Sequence, residues 1–255
     1  MKIAFITGMN YLDLMKEGDI AFALAHQVLI NKEYANYFIN SKQYKIIDNG
    51  AAELGKSIEP EELLRAARMI NADEIWCPDK LYDKKETLNL TKNFLTKMTE
   101  EDNKRFKLVG LAQGRTMSEW IDCYEQMLEM PEISVMAISK YSVECFREIC
   151  GNDDFSVCRE ACVMYLDSND LIKKPLHLAG ANCRWINEIK FMKKFPFVRS
   201  TDSNIPFKLG VMGLKIDECE EEPNERLNHD IKNLTKEQLN LIKYNINKIK
   251  NETKL

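Results

Sequence analysis

Leu108-Val-Gly-Leu-Ala-Gln-Gly-Arg-Thr-Met-Ser-Glu-Trp120 is the stretch whose reading decides the fold. Residues 108–112 are apolar and read as a buried strand; Gln113-Gly114 is its polar end, where the backbone must turn. Thr116-x-x-Glu119 has the spacing of a capping box, and Trp120, Ile121, Tyr124, Met127 and Leu128 then fall on one side of a helix. A strand that turns through a glycine straight into an amphipathic helix is a βα unit.

Working outward, the same unit recurs. Upstream, residues 3–7 read as a strand ended by Gly8, and 20–30 as an apolar helix. Residues 45–48 form a strand stopped by Asn49-Gly50, followed by a helix over 61–70. Residues 74–77 end at Pro78-Asp79 and precede a charged helix over 84–98. Downstream, 134–139 repeat the strand and one or two helices fill 143–166. Residues 175–180 and 197–201 bracket a helix over 183–193. A last strand is expected over 207–214, then an acidic loop over 217–222 and a helix opened by Thr235-x-x-Gln238. Eight strand candidates alternating with helices, without an obvious linker, predict a single-domain (β/α)8 TIM-type barrel. Residues 1–215 would be the barrel core, and 216–255 an acidic loop and C-terminal helix completing it. A doubly wound open sheet is the alternative, weakened by the absence of a G-x-G-x-x-G or Walker-type loop.

Composition narrows the class. The 255 residues suffice for one large barrel, and the apolar and charged fractions are those of a globular protein. No apolar run approaches the roughly 18 residues of a membrane span, and Asp13, Glu17 and Asp19 interrupt the region where an export signal would need an apolar core. A cytoplasmic protein is expected. The eight cysteines contain no C-x-x-C pair, so they read as reduced, mostly buried thiols rather than as a zinc site. The net charge of −4 argues mildly against nucleic acid, but eight Lys or Arg lie between Lys173 and Lys208, opposed only by Glu188 and Asp202. That cluster is either a solvated face or a phosphate-binding one.

In such barrels catalytic groups stand at the C-terminal ends of the strands. Phe197-Val-Arg-Ser-Thr-Asp-Ser-Asn204 has the look of a buried strand delivering a carboxylate, Asp202, to its end. Asp48, Asp79 and Gln113 occupy the same place in their own units. A lone Asp there is more often a turn or cap residue, and it is the repetition that argues for a site. His177, inside an apolar strand, reads as a hydrogen-bonded core residue or a secondary site residue. Trp76, Trp120 and Trp185 read as core.

Asp48-Asn-Gly-Ala, Cys77-Pro-Asp79, Gly110-Leu-Ala-Gln-Gly114, His177-Leu-Ala-Gly180 and Ser200-Thr-Asp202-Ser together resemble, in order, the motifs of the queuine/archaeosine tRNA-guanine transglycosylase superfamily. The resemblance covers residues 1–215 and is nearer to the phage and bacterial relatives that insert 7-deazaguanines into DNA. It implies Asp202 as nucleophile and Asp48 as general acid/base. Asp79 and Gln113, with Gly114, would hold the edge of the base, and Gly180, with His177 behind it, would meet its carbonyl. Lys173, Lys174, Arg184 and Arg199 would contact phosphates. The tRNA enzymes carry a Cys-x-Cys-x2-Cys plus His zinc site after the nucleophile, of which only Cys219 and His229 remain here. That departure favours DNA over tRNA as acceptor and predicts no metal and no cofactor.

The chemistry implied is replacement of guanine by a 7-deazaguanine through a covalent glycosyl-aspartate. A tRNA-directed enzyme, a barrel acting on a small nucleoside or sugar, and a non-catalytic nucleic-acid-binding subunit that positions a protein partner are the other readings.

Overall fold

The computed structural model describes residues 1–223 and 230–254. Eight strands form one closed, all-parallel barrel in chain order. They are β1 (Lys2–Phe5), β2 (Ile20–Leu24), β3 (Tyr44–Asp48), β4 (Glu74–Trp76), β5 (Lys107–Leu111), β6 (Ile133–Ser139), β7 (Leu176–Ala179) and β8 (Val198–Ser203). β8 closes on β1 with Ala4 opposite Asp202. The (β/α)8 architecture expected from the sequence is therefore present, although two of its elements are not where the pattern put them.

Residues 20–30 are not one helix. Ile20–Leu24 is β2, and only Ala25–Ile30 is helical. The run Ile-Ala-Phe-Ala-Leu is apolar at every position because a barrel strand is covered by side chains within and helices without, so it shows neither a two-residue nor a helical period. Its entry is held by Asp19, whose amide donates to Ile3 O at 2.8 Å and whose carboxylate accepts from the Ile3 amide at 2.9 Å. Gly18 makes that approach possible, since a Cβ there would lie 2.8 Å from Ile3 O.

Residues 207–214 are not a strand. Ile205–Val211 is a helix with Pro206 in its first turn, where a missing amide hydrogen costs nothing. Gly210 packs directly on the C-terminal helix Lys236–Lys254: a Cβ on Gly210 would meet the Ile242 amide nitrogen at 2.6 Å. Ile242, Ile246 and Ile249 of that helix are buried in one cluster with Ile3, Phe5, Trp185, Phe207 and Ile216. Ile216 and the C-terminal helix thus share their core with the first strand. Thr235 and Gln238 form the expected reciprocal cap at 3.1 and 2.9 Å. Thr116 accepts from the Glu119 amide at 3.2 Å, but the Glu119 carboxylate turns to the Arg115 amide (2.9 Å), so this helix has half of the expected box.

The barrel interior is filled from below. At the N-terminal end Glu74 of β4 takes both Arg199 of β8 and the Tyr44 hydroxyl of β3 (2.6 Å). Arg199 reaches inward because β8 carries an extra residue there: Leu176 pairs with Val198 but His177 pairs with Ser200. Above this plug, Phe22, Trp76 and His177 meet from three non-adjacent strands, with ring centroids 4.9 to 6.3 Å apart. Trp76, Trp120 and Trp185 are all buried, as expected of core residues.

Candidate active site

The C-terminal ends of the strands carry the polar residues. Asp202, on β8, is 3% exposed and its Oδ1 lies 2.8 Å from His177 Nε2. The other ring nitrogen, Nδ1, is 2.8 Å from Ser200 Oγ. A carboxylate at Asp202 calls for the proton on Nε2, leaving Nδ1 to accept from the serine hydroxyl. The Gly180 amide lies 3.3 Å from both carboxylate oxygens. Gly180 has φ +66, a conformation glycine adopts without strain, and this turns its amide back over β8. Oδ1 is thus pinned, whereas among the described residues Oδ2 has only the long amide contact.

Asp48, which ends β3, is 6% exposed and accepts from the Gly50 amide at 3.0 Å. Burial, then the charges of Glu53, Asp79 and Asp202, push its carboxyl well above the ordinary carboxylate range, against the pull of the Gly50 amide. The two aspartates, 154 residues apart in the chain, are therefore electrostatic neighbours at one end of the barrel. Glu53 stands at the rim; as a residue it is exposed, yet its carboxyl is crowded by protein and its pKa is also raised, with the Asp202 charge adding to the effect.

Asp79 is gripped on both oxygens, by Asn49 Nδ2 at 2.8 Å and Gln113 Nε2 at 2.6 Å. Burial raises its carboxyl to about 6 despite those two donors. Asn49 also donates to Cys77 O (2.7 Å), and Ser57 bonds the Asp79 backbone in both directions (2.7 and 2.9 Å). The Gln113 oxygen accepts from the Tyr82 amide at 3.2 Å. Asp79 and Gln113 are thus one locked pair. Gly114 serves packing: a Cβ there would lie 2.4 Å from the Trp120 amide nitrogen, so it seats the following helix against the end of β5.

The four basic residues expected to meet phosphates do not form one surface. Arg199 is the interior bulge residue, bound to buried Glu74. Lys173 and Lys174 precede β7, at the opposite end of the barrel, where Lys173 pairs with Asp170 (2.6 Å) and Lys174 caps Met130 O (2.8 Å). Arg184 alone follows β7 at the mouth, 3.5 Å from Asp154. Sequence proximity misled because alternate ends of each βα unit face opposite ends of a barrel.

A cavity of about 800 Å³ opens at the mouth, lined in part by Glu53, Tyr82, Lys140, Asn204, Lys208 and Glu222. Asp48, Asp79, Gln113 and Asp202 are not among its lining residues, and all are buried. Lys140 was not anticipated from the sequence, whereas Lys208 closes the basic run 173–208. Lys140 does directly follow a strand, but with no Gly or Pro beside it; Lys208 lay in a supposed strand. His229 lies outside the described residues, and among the described residues no group of three His, Cys, Asp or Glu is placed to hold a metal ion. Nor is any described helix long and apolar enough to cross a membrane.

Fold and geometry together define a parallel (β/α)8 barrel with a cluster of buried carboxylates under its C-terminal mouth. No protein-family model matches the chain, and no curated protein sequence is significantly similar to it.

Proposed function

We propose that the protein is a base-exchange transglycosylase that replaces guanine in a nucleic acid, most naturally DNA, by a 7-deazaguanine. The observation that carries the reading is the unequal treatment of two neighbouring carboxylates. Asp202 is held by donors at His177 and Gly180, whereas Asp48 is driven towards its protonated form. Such a division between nucleophile and proton carrier is what glycosyl transfer with retention requires. The ordered resemblance of five strand-end motifs supplies the substrate class.

In this scheme Asp202 Oδ2 bonds to the anomeric carbon as the bond to guanine N9 breaks, and the departing base takes the Asp48 proton. The nitrogen of the incoming deazaguanine then attacks the same carbon, gives its proton to Asp48 and releases Asp202. Asp79 and Gln113, already tied to each other, would present a fixed edge to the base. In a duplex the target nucleotide must leave the stack, at a cost of a few kcal/mol.

The test is exchange of labelled guanine in single-stranded DNA, duplex DNA and tRNA, with a panel of 7-deazaguanines. Asp202→Ala should abolish exchange while the far-UV spectrum is retained; undiminished exchange removes Asp202 from the mechanism. The burial of all four polar residues favours one competing reading, a non-catalytic nucleic-acid-binding subunit. Exchange that appears only on adding a partner protein, and persists with Asp202→Ala in this chain, would support it.

A further inference from the structure

Two lysines that the scheme above does not use converge at the mouth. Lys140, the residue after β6, is 9% exposed, and Lys208, in the helix after β8, is 7% exposed. Both reach the same carboxylate: Lys140 Nζ lies 3.3 and 3.2 Å from the two Glu222 oxygens, and Lys208 Nζ lies 3.0 Å from Oε1. Lys140 also donates to Ala181 O at 3.2 Å and Lys208 to Pro223 O at 2.6 Å.

The origins of the three groups differ. The lysines stand on the barrel, one at a strand end and one on a helix locked to the C-terminal helix through Gly210. Glu222 comes from the acidic run 217–222. Asp217 and Glu218 of that run are occupied on the outside, by Lys248 (2.7 Å) and Lys215 (2.7 Å). Only Glu222 is drawn inward onto the lysines, and its side chain keeps 23% exposure. Two nearly buried ammonium groups face one carboxylate, so positive charge exceeds negative within this group of three, although Glu53, Asp154, Glu220 and Glu221 line the cavity beyond it. Burying such groups is costly without an anion, and a scaffold that holds them in place without substrate needs a stand-in.

We infer that Lys140 and Lys208 form a seat for a phosphate oxyanion at the barrel mouth, and that Glu222 fills this seat in cis until a phosphate displaces it. A phosphate offers the same pair of charged oxygens that Glu222 presents. The seat itself stands on the geometry; that the phosphate belongs to a nucleic acid rests on the proposed function.

The experiment follows thermal unfolding of the whole protein in phosphate against chloride at equal ionic strength, for wild type, Glu222→Gln, and Glu222→Gln combined with Lys208→Met. Glu222→Gln should bind inorganic phosphate at least tenfold more tightly than wild type, and the added Lys208→Met should remove the gain. Equal phosphate responses in wild type and Glu222→Gln, or a gain that survives Lys208→Met, overturn the inference. Should Glu222→Gln fail to fold, alkylation of Cys219 in wild type, read by mass spectrometry, gives the answer. Phosphate should speed it by releasing the loop, in wild type but not in Lys208→Met, and an unchanged rate overturns the seat. Parallel titrations with guanosine monophosphate and a short DNA oligonucleotide separate the sources. A phosphate response without an oligonucleotide response keeps the seat and counts against the nucleic-acid reading.

Discussion

His177 shows how a residue's neighbours decide its role. Alone in an apolar strand it looked like a satisfied core histidine, and it is one, but what satisfies it is the candidate nucleophile. His177→Ala should lower exchange about 10–100-fold, the effect of losing one buried hydrogen bond to a charged group, with KM little changed. An equal loss in Ser200→Ala would place the whole relay, rather than the imidazole alone, in control of Asp202. Asp48 carries a second prediction. Its raised pKa means that the folded protein keeps a proton the unfolded chain gives up, so stability falls as pH rises from the ordinary carboxylate value through the folded one. Asp48→Asn keeps the acceptor for the Gly50 amide and removes that penalty. Thermal unfolding should find the variant more stable than wild type at pH 8 and equal to it below pH 4, although inactive.

At the scale of elements, what was legible depended on whether an element had punctuation. The strands ending in Asn49-Gly50, Pro78-Asp79 and Gln113-Gly114 could be read because glycine, proline and small polar residues mark where a strand stops. Ile20–Leu24 lacks such a mark at its C-terminal end and runs straight into the helix Ala25–Ile30, so periodicity had nothing to divide. The helix Ile205–Val211 was obscured for another reason: its apolar residues share a buried cluster with Ile3, Phe5 and the C-terminal helix, so every residue from 205 to 210 is buried and no exposed polar face remains to betray a helix. The total of eight strands survived only because one spurious strand replaced one missed strand. Gly210 makes the contact between the two last helices testable. Gly210→Ala should destabilise the fold by about 1–3 kcal/mol, since the added methyl meets the Ile242 backbone nitrogen and Cα as well as its Cγ1, and the backbone cannot swing aside. A melting temperature unchanged within a degree would show that the helices part easily.

Across the whole molecule, acid groups pull stability in opposite directions. Asp102, in the capping box with Thr99, is held at about 2, first by the Arg68 guanidinium, and its contribution is present above the ordinary value and lost as pH falls through 2. Arg68 is half exposed, which limits the contribution to roughly 1–2 kcal/mol. Asp79, raised to about 6, works the other way and costs the fold up to about 3 kcal/mol once pH exceeds 6. Stability measured by chemical denaturation should therefore peak in mildly acid solution, and Asp102→Asn should flatten only the acid limb.

The plug of Tyr44, Glu74 and Arg199, with the three packed rings above it, leaves the vessel sealed at its base. Traffic in and out then shares one doorway. Under the proposed base exchange, such a doorway makes the old base leave before its replacement enters, with the sugar held on Asp202 in between. Initial-rate plots at several fixed concentrations of the incoming base should accordingly give parallel lines, and intersecting lines would mean that both bases fit inside at once.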